Sequence, residues 1–276
     1  MTTTQSNTGS YSGHYQGIDD LTVALTDGVL SVTLNRPDSL NSLTAPMLAT
    51  IASTLRQASS DPQVRVVRLG GAGRGFCSGA GISEVERGPD ASGTPGDVLA
   101  AANEAVRSIV ELPKPVVGVV HGPAAGVGVS LALACDVILA SEKAYFLLAF
   151  TKIGLMPDGG ASALVAASIG RTRAMRMALL AERLPAAEAL DAGLVSAVHP
   201  ADELDAAVDA VIATLTSGPA AALRKSKQAI NAATLTELED AFTRETEGQL
   251  ELLVSNDFRE GTKAFQQRRS PTFTDD

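Results

Sequence analysis

Twice in this sequence a run of β-branched and aliphatic residues ends in a cluster of very small residues and then enters a helix-forming stretch. The first instance spans Val66 to Ile82 and contains GGAGRGFCSGAG; the second spans Val116 to Leu131 and contains HGPAAGVGVS. Strand, glycine loop and helix in that order point to a layered α/β arrangement or a spiral of ββα units. Small residues let a ligand come close to the backbone. A helix start offers N–H groups that have no partner inside the helix. Two such loops side by side can aim two donors at one carbonyl oxygen, and one such donor is worth roughly 3–4 kcal/mol to a reaction that builds negative charge there. The same glycines can also serve only the packing of helix on strand, and spacing alone does not choose. Neither loop has the G-x-G-x-x-G spacing with a following acidic residue, nor the G-x-x-x-x-G-K-[ST] pattern of phosphate loops.

The rest of the chain supports one large domain. LTVALTDGVLSVTLN, from Leu21, reads as a hairpin turning at Asp27-Gly28. Thr44 to Ala58 reads as a helix with Thr44 as N-cap and Pro46 in its first turn. Residues 83–96 are polar and rich in Gly and Pro, the composition of a mobile loop. A helix follows from Asp97 to Glu111, then the buried strand PVVGVV and, after the second glycine loop, the strand DVILA. Beyond Ala181 strands nearly vanish, and 202–217, 219–232, 235–254 and 257–267 carry helical spacing. The expected organisation is a disordered tail over residues 1–16, a core over 17–212 and a C-terminal helical region over 213–276.

Composition narrows the function. Aromatic residues are 4% of the chain and Trp is absent, so the core is aliphatic. The 22 Lys and Arg against 31 Asp and Glu give a net charge of −9, and no basic face suited to nucleic acid is evident. Cys77 and Cys135 lie in apolar runs without metal-ligand spacing, which suits two buried thiols in a reducing compartment. The first residues lack a basic start and an apolar stretch, so no signal peptide is expected. No apolar run reaches the ~20 residues of a membrane helix. A cytoplasmic location with no membrane partner is the expectation.

Four segments, LNRPDSLNSL, GAGRGFCSGAGI, KPVVGVVHGPAAGVGVSLALACD and EGTKAFQQRRSPTF, stand in the order found in the enoyl-CoA hydratase/isomerase (crotonase) family. They resemble that family over residues 18–273. The resemblance implies a crotonase-like α/β spiral of ββα units with a C-terminal helical trimerisation region. It implies an acyl-CoA thioester substrate, an enolate-type intermediate, no cofactor apart from the coenzyme A of the substrate, and a homotrimer or dimer of trimers. It also places the oxyanion donors at the N–H groups of Ala80 and Val127. Two departures stand out: Val127 replaces the usual glycine, and Gly81 replaces the usual aspartate. Contacts to coenzyme A and substrate fall on Ser39, Leu40, Ser78, Gly79, Gly81, Ile82, Gly126, Ser130 and Phe150. Arg36, Arg74, Lys263, Arg268 and Arg269 are candidate cations for its phosphates.

Side chains opposite the oxyanion hole decide the reaction. By resemblance, the two glutamates of the hydratases fall at Ser130 and Phe150, neither of which can act as a carboxylate base. One carboxylate lies close by, Asp158 in KIGLMPDGGAS. It reads either as the N-cap of the following helix or as a general base, and burial would raise its pKa while a helix N-terminus would lower it. LAFTKIGLMPDGG and GRTRAMRMALL are most similar to epoxyphenylacetyl-CoA isomerase and Δ3-Δ2 enoyl-CoA isomerase-like members. The expected activity is therefore movement of a double bond by proton transfer at Asp158. An enoyl-CoA hydratase with another way to activate water, and a non-catalytic acyl-CoA-binding subunit, are the alternatives. His121 is expected to be satisfied by local hydrogen bonds, and Cys77 to be structural for want of a base partner.

Overall fold

The computed structural model describes residues 15–81 and 94–275. Its main sheet has six strands: β1 (Leu21–Thr26), β2 (Val29–Leu34), β3 (Val66–Gly71), β4 (Val116–Val120), β6 (Val137–Ser141) and β9 (Ala197–His199), adjacent in that order. Only β1 runs antiparallel to its neighbour. The β1–β2 turn places Asp27 and Gly28 at φ 50° and 83°, the two positive angles that a tight two-residue hairpin demands.

Both faces of this sheet are covered, which is why VVGVV of β4 is buried along its whole length. On one face lie α1 (Ala45–Ser60) and α2 (Pro95–Glu111). Met47, Leu48, Ile51 and Leu55 of α1 repeat at helical spacing and are buried in the main core with Val67, Leu69 and Val120. Thr44 caps α1 as its sequence predicts, accepting from Met47 N–H. Helix α2 starts two residues before the sequence-based start, because Thr94 and Asp97 form a reciprocal capping box.

On the other face lies α6 (Leu204–Ser217), whose Leu204, Val208 and Ile212 bury Val66, Val117, Val119 and Leu139. This corrects the division of the chain. Residue 212 falls inside α6, and α6 completes the second face of the sheet, so no boundary separates it from the core. Strand β9, inside the expected core, enters the main sheet beside β6. Tyr15, expected in the tail, is buried, and its hydroxyl donates to Asp61 Oδ2 at 2.8 Å; residues 1–14 lie outside the described residues.

A second, shorter sheet joins β5 (Ala124–Ala125), β7 (Tyr145–Leu147) and β8 (Leu184–Pro185). Parallel bridges extend it from Ala124 to Cys77 and from Ala80 to Leu43. Each circuit of the chain thus lays one strand in the long sheet and a short piece in the second layer: β2 then Leu43, β3 then Cys77–Ala80, β4 then β5, β6 then β7. That is the spiral of ββα units expected from the sequence. It sets the two glycine loops side by side, and α3 (Val127–Leu133) starts where the second one ends.

The remaining helices are α4 (Ala161–Leu180), α5 (Ala186–Ala192), α7 (Ala220–Thr234), α8 (Leu238–Leu252) and α9 (Asn256–Gln266). Among the described residues no single helix is long and apolar enough to cross a membrane. Most of the 83–96 segment, and Ile82, lie outside the described residues.

Candidate active site

The two glycine loops touch backbone to backbone. Gly79 sits at φ 89°, and a Cβ there would lie 2.9 Å from the Ala125 carbonyl oxygen; a Cβ on Gly128 would lie 2.7 Å from that of Cys77. Both contacts exclude any larger residue, so these glycines serve the approach of loop to loop rather than of helix to strand. Cys77 N–H and Ala125 N–H bond across the seam, to Pro123 O at 3.1 Å and Cys77 O at 2.8 Å.

Two donors are left over. The bridge between Leu43 and Ala80 uses Leu43 N–H and Gly81 N–H, not Ala80 N–H. Val127 is the first residue of α3, so its N–H has no acceptor within the helix. Among the described residues neither N–H makes a hydrogen bond.

Asp158 stands on the segment between a 3-10 turn (Phe150–Ile153) and α4. Its residue is only 7% exposed. Oδ2 accepts from Gln249 Nε2 at 2.7 Å, whereas Oδ1 is buried and has no partner among the described residues. Ser130 Oγ donates to the Asp158 carbonyl oxygen at 3.1 Å. A Cβ on Gly159 would lie 3.4 Å from both Ser130 Oγ and Val127 Cγ1. The residue carrying one free N–H is therefore packed against the segment that carries the carboxyl. Burial pushes the Asp158 pKa up to about 7, the Gln249 donor pulls it down, and the charge of Glu245 pushes it up further.

The structure excludes the N-cap reading of this aspartate. The N-cap of α4 is Gly160, and no α4 N–H reaches the Asp158 carboxylate. The cap is supplied from α8 by Glu245, which accepts from Gly160 N–H at 2.6 Å and Ser162 N–H at 2.8 Å. Glu245 is 1% exposed, and its burial raises its pKa while those two N–H donors oppose the shift.

Other predicted site residues divide into groups. Ser130 and Phe150 are buried, and the Phe150 ring lies 3.6 Å from where a Gly126 Cβ would be. Ser39 and Leu40 meet the first glycine loop, since Ser78 Oγ donates to Ser39 O and Ser78 N–H to Leu40 O, each at 2.9 Å. Arg36 is held by Ser42 and Asp20, and Arg269 by Glu260, so both are committed inside the chain. His121 Nε2 is 3.0 Å from Gly73 O, the local satisfaction expected of it. Burial raises the Cys77 thiol to about 12, far from a thiolate at neutral pH. Among the described residues no cluster of three metal-ligating side chains occurs.

Sequence reasoning missed Glu245 and Gln249. They lie on one face of α8, four residues apart, where the sequence shows only a polar stretch of an amphipathic helix.

The sequence pattern of the enoyl-CoA hydratase/isomerase family matches residues 25–276. The chain is 39% identical to the 1,2-epoxyphenylacetyl-CoA isomerase of Escherichia coli over 251 residues, covering 90% of this chain and 95% of that protein. A crystal structure of an enoyl-CoA hydratase from Mycobacterium avium subsp. paratuberculosis superposes with a TM-score of 0.88 at 64% identity, covering 94% of this chain and 100% of the other. That of an enoyl-CoA hydratase/isomerase from Pseudoalteromonas atlantica gives 0.83 at 34%, over 92% and 100%. The chain belongs to the enoyl-CoA hydratase/isomerase family, and its fold is the crotonase spiral.

Proposed function

We propose that this protein is an enoyl-CoA isomerase that moves a double bond by proton transfer at Asp158, with the thioester oxygen held by Ala80 and Val127 N–H. The observation that carries the reading is a buried carboxyl with one unpartnered oxygen beside the start of α3, where Ser130 and Phe150 supply no second acid. Oδ1 of Asp158 removes a proton from C2 of a 3-enoyl-CoA. The electron pair spreads into a dienolate whose oxygen lies between the two donors. The proton returns from Asp158 to C4, leaving the double bond between C2 and C3, with no atom gained or lost. A base near pKa 7 suits this shuttle, because it gives and takes a proton at comparable cost. Coenzyme A enters as part of the substrate, and no separate cofactor takes part. The name of the Escherichia coli relative favours isomerisation; that of the Mycobacterium avium protein favours hydration as the second reading. Exposed Leu179, Leu180, Val254 and Phe265 are consistent with assembly into a homotrimer or dimer of trimers.

The test is turnover of a 3-enoyl-CoA and a 2-enoyl-CoA by wild type and by Asp158→Asn. Isomerisation of the first substrate, falling by roughly 10²–10⁴-fold in the variant, supports the proposal. Hydration of the second, unchanged by the variant, sinks it. Tight binding without turnover of either would mark an acyl-CoA-binding subunit instead.

A further inference from the structure

We propose that Gln249 and Glu245 are the positioning residues of this base: Gln249 grips Oδ2 of Asp158 and leaves Oδ1 as the oxygen that carries the proton, while Glu245 fixes the segment and keeps that oxygen basic. The proposal rests on Asp158 being the proton carrier. It begins with the amide of Gln249, whose orientation is not free. Met156 N–H donates to Oε1 at 3.2 Å. A main-chain N–H can only donate, so Oε1 faces it and Nε2 turns the other way. Nε2 then donates to Met156 O at 2.9 Å and to Asp158 Oδ2 at 2.7 Å. The two carboxyl oxygens become unequal: one is stabilised as an anion by a fixed donor, the other is enclosed without one. A buried carboxylate oxygen without a donor is destabilised as an anion, and a proton placed there relieves that by neutralising the charge.

Glu245 stands one helical turn earlier on the same face of α8. Both its oxygens are engaged by Gly160 and Ser162 N–H, so its charge is fixed just beyond Asp158 in the chain. Among the described residues, the other elements around the aspartate offer no competing charge. The hydroxyl of Ser130, on α3, is taken by the Asp158 carbonyl, and Lys152 of the 3-10 turn is exposed. Arg244 bears on Glu245 but is 59% exposed and pairs with Glu237 at 3.6 Å. Helix α8 has no clearance from this segment, since a Cβ on Gly248 would lie 2.5 Å from Met156 Sδ.

The experiment is the pH profile of kcat/KM for 3-enoyl-CoA isomerisation by wild type, Glu245→Gln, Gln249→Met and Gln249→Glu, with thermal melting of each. Glu245→Gln removes a like charge and should lower the midpoint by about one pH unit. Gln249→Met removes the donor and should raise the midpoint by a similar amount, with kcat lower by roughly tenfold as the carboxyl loses its grip. A residue that merely holds the fold would change melting without moving the two midpoints in opposite directions. If Glu245→Gln fails to fold, Gln249→Glu decides: it keeps the Met156 N–H bond, sets a second carboxylate against Oδ2 and should raise the midpoint. Midpoints within about 0.2 pH unit of wild type in the folded variants would overturn the positioning roles while leaving Asp158 in place. Wild-type isomerisation that survives Asp158→Asn would instead remove the base itself, and this inference with it.

Discussion

Two aspartates whose side chains are withdrawn from solvent, one partly and one almost wholly, are treated in opposite ways. Asp136, at the end of α3, accepts from Lys227 Nζ at 2.9 Å and Val116 N–H at 2.7 Å. Lys227 in turn donates to Ile109 O and Lys114 O, tying α7 to the sheet. Among the described residues Asp158 receives one neutral amide, and its other oxygen has no partner. Burial pushes both pKa values up, but at Asp136 the opposing pull comes from a cation and at Asp158 from an uncharged donor, with Glu245 adding to the push. A chain optimised only for stability would supply Asp158 with a cation too. Its absence among the described neighbours is what a proton carrier requires, since a paired carboxylate surrenders its affinity for protons.

The sharpest way to break this contrast is to exchange losses between the two sites. Asp158→Asn should remove nearly all isomerisation, whereas Lys227→Met should leave kcat within about threefold of wild type; a large kcat loss in the latter would erase the functional distinction. Stability should run the other way. Lys227→Met leaves a partly exposed carboxylate without its cation and should cost about 2–3 kcal/mol by chemical denaturation.

The pH dependence of stability gives a smaller effect with a definite sign. The folded pKa of Asp158, about 7, lies above its ordinary 3.8. Between those values the folded protein holds a proton that the unfolded chain has lost, so this group's contribution to stability declines as pH rises from about 4 to about 7 and is constant above. Asp158→Asn should therefore be more stable than wild type at pH 8, by about 2 kcal/mol after relaxation, and gain nothing at pH 4. An equal difference at both pH values would contradict the assignment. The smallest effect is expected at Arg107, which reaches from α2 to Glu239 of α8 and lies 5.0 Å from the Phe242 ring centroid. This pair is solvent-screened, and Arg107→Ala should cost less than about 1 kcal/mol in a melt.

Legibility in the sequence followed the same divide. The hairpin at Asp27-Gly28, the capped helix at Thr44, the long strands and both glycine loops are local patterns, and the chain displays them in order. Asp158 was visible because a lone acid stands in an otherwise small and apolar stretch. Strands β5, β7 and β8 were not, since two or three residues carry no periodicity and are strands only through their partners. The docking of the last turn of α6 on the main sheet was misplaced for a related reason: its spacing shows amphipathic structure but not which surface receives it. Glu245 and Gln249 resemble solvated helix residues until α8 is laid against a segment more than eighty residues earlier.

That separation has a consequence for the making of the protein. Gln249 leaves the ribosome 91 residues after Asp158. The two glycine loops can therefore be in place on a nascent chain while the Asp158 carboxyl is still ungripped. If Asp158 is the proton carrier proposed above, competence arrives late and in a single event, the docking of α8, and a chain interrupted before that helix would lack the grip on its base.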